Sequence, residues 1–317
     1  HGGGDHAGHR PAIHPVSAAS FPVAWTIAGS DSGAGAGLQA DLRAFDAFDV
    51  HGCSAVAAIT AQNSVRVEAI EAVSPQLLDA QLHALAADMP PAAIKTGLLG
   101  SVDNLRVVTR WVDRLRERRP GMGLVVDPVL RSTTGAAFAD EALLRAMRSE
   151  LLPRATLVTP NHAEAAALLG LRHLQGALAV EHAAQALHSL GCQAVVITGG
   201  DSGNGSSDDY AMSAHATGWL SLPRISTPHH HGTGCVFASS AAAALARGFL
   251  GTEAIVLAKM ATTHALCHGY PAGKGAGPVR PLAGFGLESG NLPAWTTPGQ
   301  PEIGHFAPLA DPDLGLY

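Results

Sequence analysis

The sequence lacks several features that would assign it quickly to a class of protein. Its 317 residues include only four cysteines, none of them in a CxxC pair, which argues against a disulfide framework. No uninterrupted apolar run reaches the roughly 18–20 residues that a membrane-spanning helix needs. The first residues also lack the basic and apolar regions of a secretory signal. These absences predict a protein of the reducing cytoplasm without a membrane partner.

Charge and nucleotide-binding motifs are also informative by what is missing. The formal net charge is −6 and no basic stretch occurs, which argues against nucleic acid as a partner. A glycine-rich segment spans residues 29–37, but position 38 is leucine, so the GxGxxG spacing fails. No GxxxxGK[ST] motif occurs anywhere in the chain. A small anionic ligand stays compatible with the sequence, because local amides and a metal ion can outweigh net charge.

What the chain does contain is a regular alternation of strand-like and helix-like segments, with an apolar fraction of 47% that is ample for a large core. Short apolar runs predict strands at 23–28, 54–60, 93–96, 124–126, 156–159 and 194–198. Helical spacing of apolar residues predicts helices at 38–48, 75–88, 102–116, 141–152, 161–169, 181–190, 233–247 and 252–268. Repeated βα units of this kind predict an α/β fold, with a central, mostly parallel sheet and helices on both faces.

The two ends of the chain depart from this alternation. Residues 1–20 are rich in Gly, His, Pro and Ala and have no period, which predicts a disordered extension. Residues 276–317 carry many Gly and Pro, which predicts a loosely structured C-terminal tail. A single domain is therefore expected over residues 21–275.

Polar and glycine-rich clusters follow the predicted strands, where parallel sheets bind their ligands. Gln62 offers a donor and an acceptor that suit the edge of a heteroaromatic ring, although amides at strand ends are more often turn formers. Asp127 and Glu164 each follow a strand and could bind Mg²⁺, or could be structural only. Asn161 suits a helix N-cap, a role that does not exclude a functional one.

The strongest single motif is Gly232-Thr233-Gly234-Cys235, which leads into a predicted helix. Such a turn presents backbone N–H groups in one direction, and the helix dipole adds positive potential there, so the turn predicts an anion hole for a phosphoryl group. Cys235 in the first turn is expected to have a lowered pKa and to act as a base toward an alcohol. The competing interpretation of Cys235 is a small buried core residue.

Three consecutive histidines, His229 to His231, precede this turn. They suggest a metal site, but consecutive side chains point in different directions on a rigid backbone, so a shared ion is geometrically awkward.

In order and spacing, these segments resemble the hydroxymethylpyrimidine/phosphomethylpyrimidine kinases of the ribokinase-like superfamily over residues 22–275. The similar segments are 26–32, 35–42, 52–54, 60–63, 95–99, 126–129, 159–165 and 231–235. The resemblance implies a ribokinase-like fold, ATP, Mg²⁺ and a role in thiamine biosynthesis. It implies two phosphorylations, first of the hydroxymethyl group of 4-amino-5-hydroxymethyl-2-methylpyrimidine and then of the monophosphate. Relatives of this kind also suggest a homodimer.

The resemblance further implies roles for individual residues. Contacts to the aminopyrimidine are expected from Gly29, Asp41 and Gln62, in a pocket lined by Leu98 and Val129. Nucleotide contacts are expected at Asn161, Thr198 and Gly200. Catalysis is assigned to Gly232, Thr233, Gly234 and Cys235. Mg²⁺ and its waters are assigned to Asp127 and Glu164.

One segment departs from the family pattern. Family members often have Lys-Gly-Gly-His where this chain has Thr198-Gly199-Gly200-Asp201, so one cation is missing from the presumed phosphate region. The glycine- and serine-rich residues 202–209 are expected to form a mobile lid. Two alternative functions stay open: a pyridoxal kinase, whose substrate has a similar ring with a hydroxymethyl group, and a non-catalytic pyrimidine sensor.

Overall fold

A computed structural model describes residues 21–130, 138–201, 205–285 and 293–296 of the chain. Its strands are β1 (Val23–Asp31), β2 (His51–Gln62), β3 (Val67–Ala72), β4 (Ala93–Thr96), β5 (Gly123–Val126), β6 (Leu157–Val158), β7 (Val195–Asp201), β8 (Ser206–Met212), β9 (Thr217–Pro223) and β10 (Ala294–Thr296). Its helices are α1 (Gly37–Asp46), α2 (Pro75–Asp88), α3 (Val102–Arg118), α4 (Glu141–Ala146), α5 (His162–Leu168), α6 (Gly176–His188), α7 (Thr233–Ala246) and α8 (Gly251–Cys267).

These strands form one sheet in the order β10-β9-β8-β7-β6-β5-β4-β1-β2-β3. The six strands from β7 to β2 in this order pair in parallel, while β3 and the β8–β10 group add antiparallel strands at the two edges. The predicted mostly parallel sheet is therefore confirmed. After β2 and β3 the chain crosses to the other side of β1 and forms β4 there. Because the central strands are parallel, their carboxyl ends lie along one edge of the sheet, where parallel sheets bind ligands.

Both faces of the sheet are covered by helices, as predicted. Along β1, Trp25 and Ile27 belong to a buried cluster that also contains side chains of α2, α3 and α6. Ala24, on the opposite face, packs in a second cluster with α7 and α8. This alternation of one strand between two cores is what a doubly covered parallel sheet requires.

Helix α7 lies in the centre of one face and is buried almost all round, with ten of its residues inaccessible from Val236 to Ala246. Its alanine-rich sequence allows close approach to β4 and β5 on one side and to α8 on the other. Because a buried helix of this kind cannot move without disturbing the core on its face of the sheet, its N-terminus is held in a fixed position at the ligand-binding edge.

Two predicted segments differ from the structure. Of the helix predicted at 141–152, the α-helical part ends at Ala146. A π-helical turn at Met147–Leu151 and a 3₁₀ turn at Leu152–Arg154 follow, and the segment stops there since Pro153 cannot donate the next helical hydrogen bond. The expected lid at 202–209 is wrong from residue 206 onward, because β8 pairs there with both β7 and β9. Residues 202–204 lie outside the described residues.

The residues beyond position 275 also contact the domain. Val279 is buried, and Phe285 packs against Phe48 with ring centroids 4.7 Å apart. Strand β10 pairs with β9. The domain boundary at 275 stays a prediction, and residues 1–20 and 297–317 lie outside the described part of the chain. No helix in the described ranges is long and apolar enough to span a membrane.

Candidate active site

A cavity of about 830 Å³ opens at the carboxyl ends of the parallel strands and at the N-terminus of α7. Most of the residues predicted for a site lie in its wall. They include Gly29 in β1, Gln62 at the end of β2, Leu98 after β4 and Val129 after β5. On the side of β5 to β7 they are Asp127, Asn161, Glu164 and Thr198, and at α7 they are Gly232, Thr233, Gly234 and Cys235. Residues scattered over 200 positions of sequence therefore converge on one cavity.

The turn before α7 has the conformation that only glycine adopts easily. Gly232 has a φ of 86°, and a Cβ added there would lie 2.1 Å from the carbonyl oxygen of Gly35. The N–H groups of Gly234 and Cys235 fall in the first helical turn, where no intrahelical acceptor exists. The Thr233 amide already donates to the carbonyl oxygen of His230, at 3.3 Å. The amides of Gly234 and Cys235 are therefore the best placed to hold an anion.

Cys235 corrects one prediction directly. Burial raises the pKa of its thiol well above the usual range, and although the charge of Lys95 opposes this shift, the charges of Asp127 and Asp41 add to it. The expected lowering by the helix N-terminus is therefore wrong, since the surrounding negative charges and burial outweigh it. The raised pKa favours the neutral thiol of Cys235 at neutral pH.

Asp41 corrects a second prediction, because it does not line the cavity. Its carboxylate is fully buried below the cavity floor and accepts hydrogen bonds from Thr26 Oγ1 at 2.6 Å and Ser239 Oγ at 2.6 Å. Lys95 Nζ lies 2.9 and 3.0 Å from its two oxygens. These partners occupy the carboxylate, so a direct contact to a pyrimidine ring, as expected from the sequence, does not fit this geometry.

Lys95 connects this buried network to the cavity. Burial acts to lower the pKa of its ammonium group, but Asp41, the Cys235 sulfur and Asp127 raise it above the usual value. Lys95 therefore stays charged without contact to bulk water. It lines the cavity and lies 3.3 Å from Asp127 Oδ2, which places a fixed positive charge beside the anion hole.

Two carboxyl groups in the cavity wall influence each other. Burial and the negative charge of Asp127 raise the pKa of Glu164 to about 8. Burial likewise raises the pKa of Asp127, although Lys95 opposes the shift. Oδ2 of Asp127 is buried and lies 3.3 Å from the Lys95 ammonium nitrogen. Two carboxyl groups whose negative charges repel each other fit a divalent cation such as Mg²⁺, which prefers carboxylate and phosphate oxygens.

Asn161 and Glu164 also shape the backbone at this wall. The side-chain oxygen of Asn161 accepts a hydrogen bond from the backbone N–H group of Glu164, at 2.9 Å. The Glu164 carboxyl group accepts one from the backbone N–H group of Asn161, also at 2.9 Å. This capping box starts α5 and fixes the Glu164 carboxyl group beside the cavity. Asn161 also forms a bridge with Thr198 in β7, so the structural interpretation of Asn161 holds alongside its place in the wall.

The strand end that lacks the family lysine has another cation behind it. Lys259 in α8 lies 2.8 Å from Asp209 and donates to both oxygens of Ser207, a cavity residue. Asp209 in turn accepts from the Gly199 amide at 3.0 Å. Lys259 thus supports the wall without reaching the cavity itself. Gly200 lies in β7, next to this network.

Sequence reasoning did not predict Lys95, Asp31, His231 or Arg224 as site residues, although all four line this cavity. Asp31 at the end of β1 accepts N–H groups of the glycine-rich loop, and the His231 ring lies beside it. Arg224, directly after β9, also lines the cavity. Asp31 stood in the glycine-rich segment and could have been singled out, whereas Arg224 follows a strand that the sequence did not predict. The described residues contain no group of three or more His, Cys, Asp or Glu arranged to hold a metal ion, which speaks against the metal interpretation of the three histidines.

Comparison with known proteins identifies similar chains over most of this length. The family model for phosphomethylpyrimidine kinase matches residues 31–280. A hydroxymethylpyrimidine/phosphomethylpyrimidine kinase of Synechococcus elongatus is 41% identical over 261 residues, which cover 82% of this chain and 97% of that protein. The matched range includes Gln62, Asp127, Glu164 and Cys235.

Solved structures agree with the fold. The pyridoxal kinase of Staphylococcus aureus, in complex with AMP-PCP and pyridoxal, has a TM-score of 0.74 at 31% identity and covers 82% of this chain and 94% of that one. The phosphomethylpyrimidine kinase of Clostridium difficile has a TM-score of 0.66 at 30% identity, with 77% and 99% covered. The ribokinase-like α/β fold predicted from the sequence is therefore confirmed.

Proposed function

Since this chain belongs to the phosphomethylpyrimidine kinase family, we propose that it uses ATP and Mg²⁺ to phosphorylate 4-amino-5-hydroxymethyl-2-methylpyrimidine and then its monophosphate, in thiamine biosynthesis. The observation that carries this proposal is the position of the α7 anion hole. It lines the same cavity as Asp127, Glu164 and the amide of Gln62. A phosphoryl donor and a ring with a hydroxymethyl group can be bound together there.

The hydroxymethyl oxygen attacks the terminal phosphorus of ATP, and the bond from that phosphorus to the bridging oxygen breaks to release ADP. The Gly234 and Cys235 amides and the charge of Lys95 stabilise the phosphoryl oxygens during transfer. Asp127 and Glu164 would hold Mg²⁺, which neutralises phosphate charge when it is bound. These groups supply positioning and charge stabilisation, which is most of what phosphoryl transfer needs.

Cys235 has a different role in this mechanism from the one expected. Because burial and the charges of Asp127 and Asp41 raise the pKa of its thiol, we assign Cys235 to contacting the hydroxymethyl oxygen and not to removing the hydroxyl proton before transfer. In a loose transition state the hydroxyl proton leaves late, so it can pass to a phosphoryl oxygen of the product. Gly29, Leu98 and Val129 would then pack around the ring, and Asn161, Thr198 and Gly200 would lie on the nucleotide side.

A product assay by mass spectrometry tests the proposal. The protein is incubated with ATP, Mg²⁺ and the hydroxymethylpyrimidine, with pyridoxal in a parallel tube and Cys235→Ala as the matched variant. The monophosphate followed by the diphosphate of the pyrimidine is the expected result. Phosphorylated pyridoxal alone would move the assignment to the second candidate, which the likeness to a pyridoxal-bound kinase favours. Binding without any phosphorylation would indicate the sensor instead.

We also propose that the protein is a homodimer in the cytoplasm. The β2–β3 hairpin exposes Ile59, Val65 and Ile70 to solvent, and apolar residues gathered on one hairpin are typical of an interaction surface. Cys53, Cys192, Cys235 and Cys267 are free thiols, which suits a reducing compartment. Sedimentation of the wild type and of Ile59→Lys separates a dimer that uses this hairpin from a monomer.

A further inference from the structure

The ring of His231 is held in one place beside the substrate side of the cavity. Its Nε2 atom lies 3.2 Å from Asp31 Oδ2, and both side chains are nearly buried. A Cβ added to Gly35 would lie 2.2 Å from His231 Cδ2, so the glycine leaves the space that the ring occupies. The His231 backbone pairs with Gly277 and Val279. The ring therefore has little freedom to turn away from Asp31.

Asp31 fixes what this ring nitrogen can do. Its carboxylate accepts three backbone N–H groups, from Gly33, Gly35 and Ala36, at 2.8 to 3.0 Å. Although burial acts to raise the pKa of Asp31, these bonds and His231 lower it, so the group is an anion at neutral pH. An anionic carboxylate only accepts hydrogen bonds. His231 Nε2 must therefore carry a proton and donate it to Asp31.

Gln62 contacts the same ring nitrogen from the cavity side. Its amide nitrogen lies 3.4 Å from His231 Nε2. If Nε2 donates to Asp31, two N–H groups face each other at this contact, and neither can accept. A half-turn of the Gln62 amide exchanges its nitrogen and oxygen and lets the oxygen face the ring N–H. The charge-assisted bond to Asp31 is the stronger of the two contacts, so the amide is the group that turns.

We propose, on the basis of the proposed function, that Asp31 and His231 are positioning residues that fix the polarity of Gln62 and thereby set which rings the cavity accepts. With its oxygen toward His231, Gln62 directs its NH₂ group into the cavity. The substrate edge that meets Gln62 must then offer an acceptor, such as a ring nitrogen or a phenolic oxygen. A free Gln62 amide could instead turn its oxygen toward an exocyclic amine. The pair therefore restricts the rings that Gln62 can bind to aromatic alcohols with an acceptor edge.

The proton position can be measured without any substrate. In ¹⁵N-histidine-labelled protein, two-bond ¹H–¹⁵N spectra distinguish a protonated from an unprotonated Nε2, and the His231→Phe variant identifies which of the 17 histidines gives the signal. Phe keeps a ring in the space beside Gly35 and removes the N–H group. We expect a protonated Nε2 at pH 7.5. An unprotonated Nε2 overturns the proposal, whatever the enzyme does.

The effect on specificity is measured as binding, so that it does not depend on turnover. Dissociation constants for the hydroxymethylpyrimidine and for pyridoxal are determined by calorimetry. We expect His231→Phe to weaken the binding of pyridoxal between about threefold and tenfold, which corresponds to the loss of one oriented hydrogen bond. The binding of the aminopyrimidine should weaken less, because its amine can bind the oxygen of the turned Gln62 amide. Equal weakening of both ligands, the mark of a merely structural role, would overturn the proposal.

A second background shows whether His231 acts through Gln62. The Gln62→Met variant has no amide to orient, so adding His231→Phe to it should leave the ratio of the dissociation constants for the two ligands unchanged. If His231→Phe shifts this ratio as much in Gln62→Met as in the wild type, His231 does not act through Gln62. His215→Phe, on an exposed turn far from the cavity wall, is the control for the substitution itself. A protein that shows these binding shifts but transfers no phosphate refutes the kinase proposal and leaves this one standing.

Discussion

The ammonium nitrogen of Lys95 lies 3.3 Å from Asp127 Oδ2, at the carboxyl ends of two neighbouring parallel strands, and 2.9 Å from Asp41 on the helix below. One buried cation thus joins the floor of the cavity to the wall that would hold the metal. This relationship explains why Asp41, which the sequence suggested as a ligand contact, belongs to the support of the site.

Asp41→Asn should therefore lower stability without removing a substrate contact. Loss of the anion leaves the buried charge of Lys95 less compensated, and we expect the free energy of unfolding to fall by about 3 kcal/mol. Asp46→Asn, on the exposed side of the same helix, is the control and should change it by less than about 0.5 kcal/mol. Urea denaturation measures both variants. Weaker pyrimidine binding at unchanged stability would instead restore the direct contact.

The pKa of Glu164 predicts a pH-dependent metal affinity. Its raised value of about 8 means that the carboxyl group is largely protonated at neutral pH in the absence of a cation. A cation binds the ionised form, so the affinity for Mg-ADP should rise with pH up to about 8 and then level off. Calorimetry at several pH values measures this rise, and Glu164→Gln, which keeps the helix cap, should flatten it. An equal rise in Glu164→Gln would assign the proton to another group.

The same shift has a consequence for stability. Since the folded-state pKa of Glu164 lies above its ordinary value of 4.5, the folded protein binds this proton more tightly than the unfolded chain. The resulting stabilisation is complete below about pH 4.5 and is lost as the pH rises through about 8. Wild type and Glu164→Gln should accordingly differ in the slope of melting temperature against pH between these values. Parallel slopes would show that Glu164 does not titrate in this window.

Two glycines of the anion hole should separate folding from activity. Gly232→Ala places a Cβ 2.1 Å from the Gly35 carbonyl oxygen at a positive φ, and we expect it to destabilise the protein by more than about 2 kcal/mol. A Cβ at Gly234 meets no protein atom, so Gly234→Ala should fold normally. Because Gly234 lines the cavity, we expect the added methyl group to crowd the proposed anion hole and turnover to fall at least about tenfold. Normal turnover in Gly234→Ala would place the transferred group elsewhere.

The raised pKa of Cys235 predicts a slow reaction with alkylating agents. The thiolate is the reactive species, so iodoacetamide at pH 7.5 should modify the exposed Cys267 first and Cys235 only at much higher pH. Peptide mapping by mass spectrometry after timed exposure measures both sites in one sample. Faster labelling of Cys235 than of Cys267 at neutral pH would return it to the role of a base.

The sequence was sufficient for the parts of the fold that local pattern controls. Continuous apolar runs located the central parallel strands, and helical spacing located α7 and α8 to within a residue or two of their ends. Strand β8 was missed because its first four residues are polar. Those residues are Ser206, Ser207, Asp208 and Asp209. Ser207 lines the cavity, and both Ser207 and Asp209 bind Lys259, so this half of the strand has no apolar pattern.

The sequence predicted which residues form the site better than it predicted their charge states. The wall residues follow strands and turns that motifs identify, so most of them could be named in advance. The state of Cys235 depends on Lys95, Asp127 and Asp41, which come from three distant segments and meet only in the folded chain. Asp41 was placed correctly on a helix, but its partner lies 54 residues away, and no local pattern shows that the pair is buried.

The pairing of His231 with residues near the end of the domain has a consequence for how the protein is made. Asp31 and His231 are 200 positions apart, and the backbone of His231 is in turn completed by hydrogen bonds to Gly277 and Val279. Synthesis runs from the N-terminus, so the glycine-rich loop emerges from the ribosome long before its partner histidine and the segment that holds it. A nascent chain that has not yet reached Val279 therefore lacks the segment that holds the His231 backbone. The pairing of His231 with Asp31 can take its native form only after that segment has been made.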